Sequence, residues 1–178
     1  MADITVKQYR KIDAINAKEG TKKWLIESVS IFCNISKAQT KKLTLDELNR
    51  IGAILKRLED PDGNNQTLTR KINYKGLNYG FHPKLSDLTV GEFADLETYC
   101  ERGMFENLNG IMSILYRPVK TDAGDFYTIE EYEGSKEENY WDELTMDIVL
   151  GAVNFFLSIG ESLVKDSHSF LKAQEQKI

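Results

Sequence analysis

Three capping boxes set the frame of this chain. In each, a Ser or Thr is followed three residues later by Glu, at Thr44–Glu47, Thr89–Glu92 and Ser135–Glu138. The hydroxyl accepts from one orphaned backbone N–H at a helix start and the carboxylate accepts from another. Helices opened at these points are cut off by the polar turn Asp60-Pro61-Asp62-Gly63-Asn64-Asn65 and by Arg117-Pro118, because the residue before proline is pushed out of helical geometry. The chain therefore reads as a succession of short helices.

Apolar spacing fills in the rest. A first helix fits Thr5 to about Ala17, with Val6, Tyr9, Ile12 and Ile15 at mixed spacing, and Gly20 breaks it. A second runs from about Thr21 to Cys33 on Trp24, Leu25, Ser28, Val29 and Phe32, and Ser36 caps a short turn through Lys42. The first box opens a strongly amphipathic helix with Leu48, Ile51, Leu55 and Leu58 on one stripe. The second opens a helix presenting Val90, Phe93, Ala94 and Leu96 and then reaching Tyr99 and Cys100; Gly103 separates it from a helix Phe105–Tyr116 with Phe105, Leu108, Ile111, Met112 and Leu115 inward. The third opens a short acidic helix through about Leu144, after which Thr145 caps a long helix from Met146 to at least Val164. That last helix is apolar nearly all round from Met146 to Ile159, so it is buried on most sides, in this domain's core or in a subunit interface. Gly151 and Gly160 inside it suit close helix packing.

Period-two alternation is clear in one place. Leu68, Ile72 and Tyr74 alternate, Lys75-Gly76 suits a turn, and Leu77, Tyr79 and Phe81 alternate on the return. A short strand also fits Phe126–Ile129. The expected fold is α+β and predominantly α: a compact bundle of about six or seven helices with one small β-hairpin at about 67–81, in a single domain. Within residues 1–178 it would comprise a basic helical part (1–60), the hairpin, a helix pair (88–118), the acidic and apolar helices (135–165) and a polar tail (166–178).

Charge is uneven. Residues 1–90 hold 16 Lys+Arg against 10 Asp+Glu, and residues 91–178 hold 7 against 18. The two halves can attract within one molecule, meet head to tail between subunits, or be solvated independently. The densest acidic run is Glu130, Glu131, Glu133, Glu137, Glu138, Asp142 and Glu143 against Lys136. It reads as a solvated face or, more sharply, as a docking surface for a basic partner, with Tyr140 and Trp141 as aromatic anchors. In the hairpin, Arg70, Lys71, Tyr74, Lys75 and Tyr79 interleave bases with aromatics, a pattern that can meet phosphates and stack bases. The competing reading packs Tyr74, Tyr79 and Phe81 onto the helices. Leucine after Gly76 spoils a match to an RNA-recognition strand, and the acidic net charge of −5 also weighs against nucleic acid.

No catalytic or metal motif assembles. Asp60-x-Asp62-x-Asn64 starts like a calcium loop, but Asn65 and Lys71 stand where such a loop needs glycine and glutamate. His82 and His168 belong to no nucleophile or metal motif, and no glycine-rich phosphate loop is present. Cys33 and Cys100 share no CxxC and read as buried small apolar residues in a reducing compartment. No enzyme activity, cofactor or metal is therefore expected. The N-terminal segment MADITVKQYRK lacks the apolar core of a signal peptide, and no run approaches the ~18 apolar residues of a membrane span. A cytosolic location is the default expectation.

The stretch Leu88-Thr89-Val90-Gly91-Glu92-Phe93-Ala94-Asp95-Leu96-Glu97, then Asn107 through Val119, the Tyr127–Tyr132 segment and an aromatic-rich final helix resemble small proteins of tailed bacteriophages. The resemblance spans roughly residues 67–160 and rests on caps, stops and core positions. It implies a role in virion morphogenesis, as a tail-assembly factor or small structural component in the infected host's cytoplasm or the virion. Its partners would be other phage proteins and a second copy of the chain. A nucleic-acid-binding accessory protein using the hairpin, or an inhibitor of a host protein, are the alternatives.

Overall fold

The computed structural model describes residues 4–59, 67–136 and 138–158, with side chains of 55–59 left aside. The Asp60–Asn65 turn, Glu137, Gly160, His168, the helix continuation to Val164 and the polar tail lie outside the described residues. The helices are α1 (Val6–Asp13), α2 (Lys22–Phe32), α3 (Lys37–Thr40), α4 (Leu45–Glu59), α5 (Val90–Glu101), α6 (Leu108–Leu115) and α7 (146–158). The strands are β1 (Lys71–Tyr74), β2 (Leu77–Phe81), β3 (Tyr116–Ala123) and β4 (Phe126–Ile129).

Two of the three predicted boxes start helices, α4 and α5; the third, Ser135–Glu138, opens none. The Thr44 amide donates to Glu47 at 2.8 Å and the Glu47 amide to the Thr44 hydroxyl at 3.3 Å. Thr89 and Glu92 form the same reciprocal pair at the start of α5. Thr5 with Gln8 and Ser36 with Gln39 form two further boxes, with Gln in the carboxylate's place.

The sheet overturns the expected bundle. The four strands form one antiparallel sheet in the order β1-β2-β3-β4, so the fold is α+β and the hairpin is only half of its sheet. The β1–β2 turn is Lys75-Gly76, with φ of 50° and 79°, the doubly left-handed geometry of a two-residue hairpin. The strand missing from the expectation is β3. α6 ends at Leu115, ahead of Arg117-Pro118, and the chain passes directly into β3 at an already extended Tyr116, pairing Phe81 with Tyr116 and Tyr79 with Pro118. Proline has no N–H to give a ladder, and the β3–β4 register shifts just beyond it, between Val119 and Thr121. The Pro118 carbonyl still accepts from the Glu130 amide at 2.9 Å.

One face of the sheet carries Ile72, Tyr74, Tyr79, Phe81 and Tyr116, all buried. They belong to one core with Leu108, Ile111, Met112 and Leu115 of α6 and Met146, Val149, Leu150 and Val153 of α7. The apolar final helix is thus core from Met146 to Val153; Phe155 and Phe156 pack against that core, and Leu157 is exposed. Its Gly151 has a different role from helix packing: a Cβ there would press on the Thr67 carbonyl oxygen at 2.8 Å, at the approach to β1. The chain's start is tied to the same core, since the Val6 amide donates to the Leu144 carbonyl at 2.9 Å and the Met146 amide to that of Ile4 at 2.8 Å.

Two further local expectations fail. Residues 138–143 form turns, not a helix. The side chains of α6 bind that segment's backbone instead: the Lys136 amide donates to the Ser113 hydroxyl and the Trp141 amide to the Asn109 carbonyl oxygen. On α5, Val90 and Phe93 face outward at 87% and 56% exposure, while Glu92 and Leu96 are buried. Phe105 lies outside α6 and is also exposed.

Candidate docking groove and charged surfaces

Helices α2, α3 and α4 pack mainly on one another and on α1. Among their described side chains, Phe32 is the one that reaches the main core. Among the described side chains of this part, only Ser28, Val29 and Thr40 are buried, and Leu25, Ile26, Leu43 and Leu48 are half-buried. These four line a groove of about 760 Å³ between the helices. Its buried hydroxyls are satisfied locally, Ser28 donating to the Trp24 carbonyl at 2.9 Å and Thr40 to the Ser36 carbonyl at 3.2 Å. The floor is therefore apolar.

The rim is basic. Lys22, Lys23, Lys37 and Lys41 surround the groove with Glu27. Lys37 Nζ lies 2.6 Å from Glu27 Oε1, and this bond holds the Glu27 carboxyl below its ordinary range. Lys23 donates to the Asn16 carbonyl at 3.2 Å. Lys22 and Lys41 have no ion-pair partner among the described residues. An apolar floor between basic rims is the surface that an acidic, apolar-anchored segment fits. The alternation that marks α2 and α4 as amphipathic is legible in sequence, but whether anything covers their apolar sides is not.

The acidic run divides into two parts. Glu130, Glu131, Glu133 and Glu138 are exposed and without ion-pair partners among the described residues. Asp142 instead meets Arg10 at 3.2 Å, and Glu143 meets Lys7 at 3.5 Å. With Lys71–Asp122 at 2.9 Å, these bridges join the basic half to the acidic half within one molecule.

Trp141 is a correction to the surface expected of it, because it is completely buried. Its indole N–H donates to Ser113 at 3.0 Å, and the ring stacks on Tyr74 with centroids 5.0 Å apart. Tyr140 is half-buried and its hydroxyl shares a hydrogen bond with that of Tyr79. Burial, then this bond, push the Tyr79 hydroxyl well above its ordinary pKa.

The same contacts correct the nucleic-acid reading of the hairpin. Tyr74 and Tyr79 are buried against Trp141 and offer no stacking face. Lys71 is held by Asp122 and by the Gly124 carbonyl at 2.9 Å. Lys75 lies over the Tyr140 ring at 4.3 Å. Arg70 is exposed, but it has lost its aromatic companions.

A buried ion pair escaped the sequence reading. Arg117 Nη1 lies 2.6 Å from Glu92 Oε1, while Glu92 Oε2 accepts from the Thr89 amide at 2.6 Å. Burial raises the Glu92 carboxyl, but its bonds to Thr89 and the charge of Arg117 outweigh this and leave it below its ordinary pKa. His82 is buried nearby, and desolvation followed by the Arg117 charge lowers its pKa. Glu92 is committed to a cap and an ion pair, which gives this cluster a structural role. The Cys33 and Cys100 thiols are half-buried and pushed up by desolvation. Among the described residues, no group of three or more His, Cys, Asp or Glu is placed to hold a metal ion, and no helix is long and apolar enough to cross a membrane.

Comparison with known proteins finds no matching family model, no matching curated protein and no matching solved structure.

Proposed function

We propose that this chain is a non-enzymatic docking protein of tailed-phage virion morphogenesis, a tail-assembly factor or small structural component, and that it docks through the α2–α4 groove. The observation that carries the docking reading is the groove itself: an apolar floor of Leu25, Ile26, Leu43 and Leu48 that no described residue covers, between lysine rims. Burying each leucine-sized anchor contributes about 1.5–3 kcal/mol, so two or three anchors and a few rim contacts suffice for a specific complex. The phage assignment is supported by the resemblance carried by the Thr89–Glu92 box, the helix pair and the Arg117-Pro118 stop. The site of action would be the infected host's cytoplasm, with retention in the virion for a structural component.

The test is genetic and structural together. Removing the gene from the phage genome that carries it should leave genome replication and lysis intact while electron microscopy shows incomplete particles. Lys22→Glu with Lys41→Glu, which changes only exposed rim residues, should reproduce the defect in a folded chain. Normal infectious particles from the deletion would overturn the phage reading, and normal particles from the rim variant would overturn the groove.

A further inference from the structure

The groove has a complementary surface on the opposite half of the same chain. Among the described residues, β4 is an edge strand, paired with β3 alone. Residues two apart in extended chain share a face, so Phe126 and Thr128 line one side of β4 with Glu130 next along it just past the strand's end, and all three are exposed. Phe126 is 83% exposed at the hairpin end, beside Gly124-Asp125, at the lip of a shallow pocket that it lines with Phe81 and Phe155. Four residues further on, about 13 Å away in extended chain, Glu130 begins the unpaired acidic strip that continues through Glu131 and Glu133.

This surface is an apolar anchor followed by carboxylates, and the groove is an apolar trough flanked by ammonium groups. We propose that the occupant of the α2–α4 groove is the β4 edge of a second copy, with Phe126 seated on Leu25, Ile26 and Leu48 and Glu130 meeting Lys22 and Lys41. The inference rests on the reading of the groove as a docking site and names its partner. Two different surfaces of one chain are used, so the contact is heterologous: each bound copy still offers a free groove at one end and a free β4 edge at the other. Such a contact extends into a ring or an open filament, according to whether the rotation closes. The intramolecular bridges Lys7–Glu143, Arg10–Asp142 and Lys71–Asp122 use other residues, so they leave both surfaces available.

Complementary variants of the full chain test this. The groove variant is Lys22→Glu/Lys41→Glu, and the edge variant is Phe126→Ser/Glu130→Gln; all four positions are exposed, and circular dichroism is to check that each folds. In sedimentation velocity the wild type should associate with rising concentration. Association should weaken at least roughly tenfold between about 0.1 M and about 1 M salt, as the screening length drops from about 10 Å to about 3 Å. Each variant alone should stay monomeric. Mixed in equal amounts, they should form a dimer and stop there, because the intact edge of one fits the intact groove of the other and both remaining surfaces are dead. A wild type that is monomeric at every concentration, variants that still associate alone, or a mixture without a dimer would each overturn the head-to-tail contact. Particle assembly that fails with the rim variant while the wild type stays monomeric would leave the groove as a docking site for another protein.

Discussion

The rings of Tyr79 and Trp141 meet edge to face, with centroids 5.0 Å apart and planes at 73°. Two residues that local sequence assigns to separate surfaces, a basic hairpin and an acidic run, thus satisfy each other in one core. Trp141→Ala should cost about 3–5 kcal/mol in urea denaturation, as for a large aromatic removed from a packed site. Trp141→Phe should cost less, about 1–2 kcal/mol, since it keeps most of the burial and loses the indole bond to Ser113. Equal stability of all three chains would place Trp141 outside the core.

Glu92 and Arg117 should behave as a coupled unit. Arg117→Met leaves a buried carboxylate without its guanidinium and should destabilise by about 3–5 kcal/mol. Adding Glu92→Gln removes the stranded charge and keeps an acceptor for the Thr89 amide, so the double variant should be more stable than Arg117→Met alone. A double-mutant cycle in urea reads the coupling directly, and additive effects would refute it.

Acid should weaken the fold in two stages. The folded-state pKa values of His82 and Glu92 are both lowered from ordinary values of 6.5 and 4.5. For either group the unfolded chain takes up its proton first as pH falls, so stability present above the ordinary pKa is lost progressively below it. Urea midpoints should therefore begin to fall below about pH 6.5 and fall further below about pH 4.5. His82→Gln should remove the first decline, and Glu92→Gln should shrink the second. A midpoint independent of pH from 7 to about 5 would contradict the burial of His82.

Gly80 is fixed by Tyr127, whose ring crosses the position a Cβ would occupy. The Tyr127 hydroxyl donates to the Phe81 carbonyl at 2.6 Å, so the ring is not free to swing away. Gly80→Ala should cost about 1–3 kcal/mol from overpacking, and much less in a Tyr127→Ala background. Thermal denaturation of the four chains decides the matter, with equal costs in both backgrounds refuting the clash.

Local signals in the sequence were reliable where the physics is local. Thr44–Glu47 and Thr89–Glu92 cap helices because both partners lie within one turn, and Lys75-Gly76 makes its turn through its own dihedrals. What stayed hidden depends on distant partners. β3 was obscured by Pro118 and by charged residues, and it exists because Phe81 and Tyr79 pair with it. The acidic helix after Ser135 was a sound local expectation, defeated by Asn109 and Ser113 capturing the segment's backbone amides. Trp141 looked solvated among carboxylates, while its indole partner lies 28 positions earlier. The groove was half legible: α2 and α4 announce their apolar sides, but only the fold shows that the core lies elsewhere.

Hydrogen exchange on the dilute and the concentrated chain tests the central claim most directly, that α2–α4 is a docking surface taken by the β4 edge of a second copy. The account predicts that concentration slows exchange in α2, α3 and β4 together, that high salt reverses the effect, and that β1 and α6 do not respond. Unchanged exchange in α2–α4 on concentration, or protection gained in β1 or α5 instead, would contradict it.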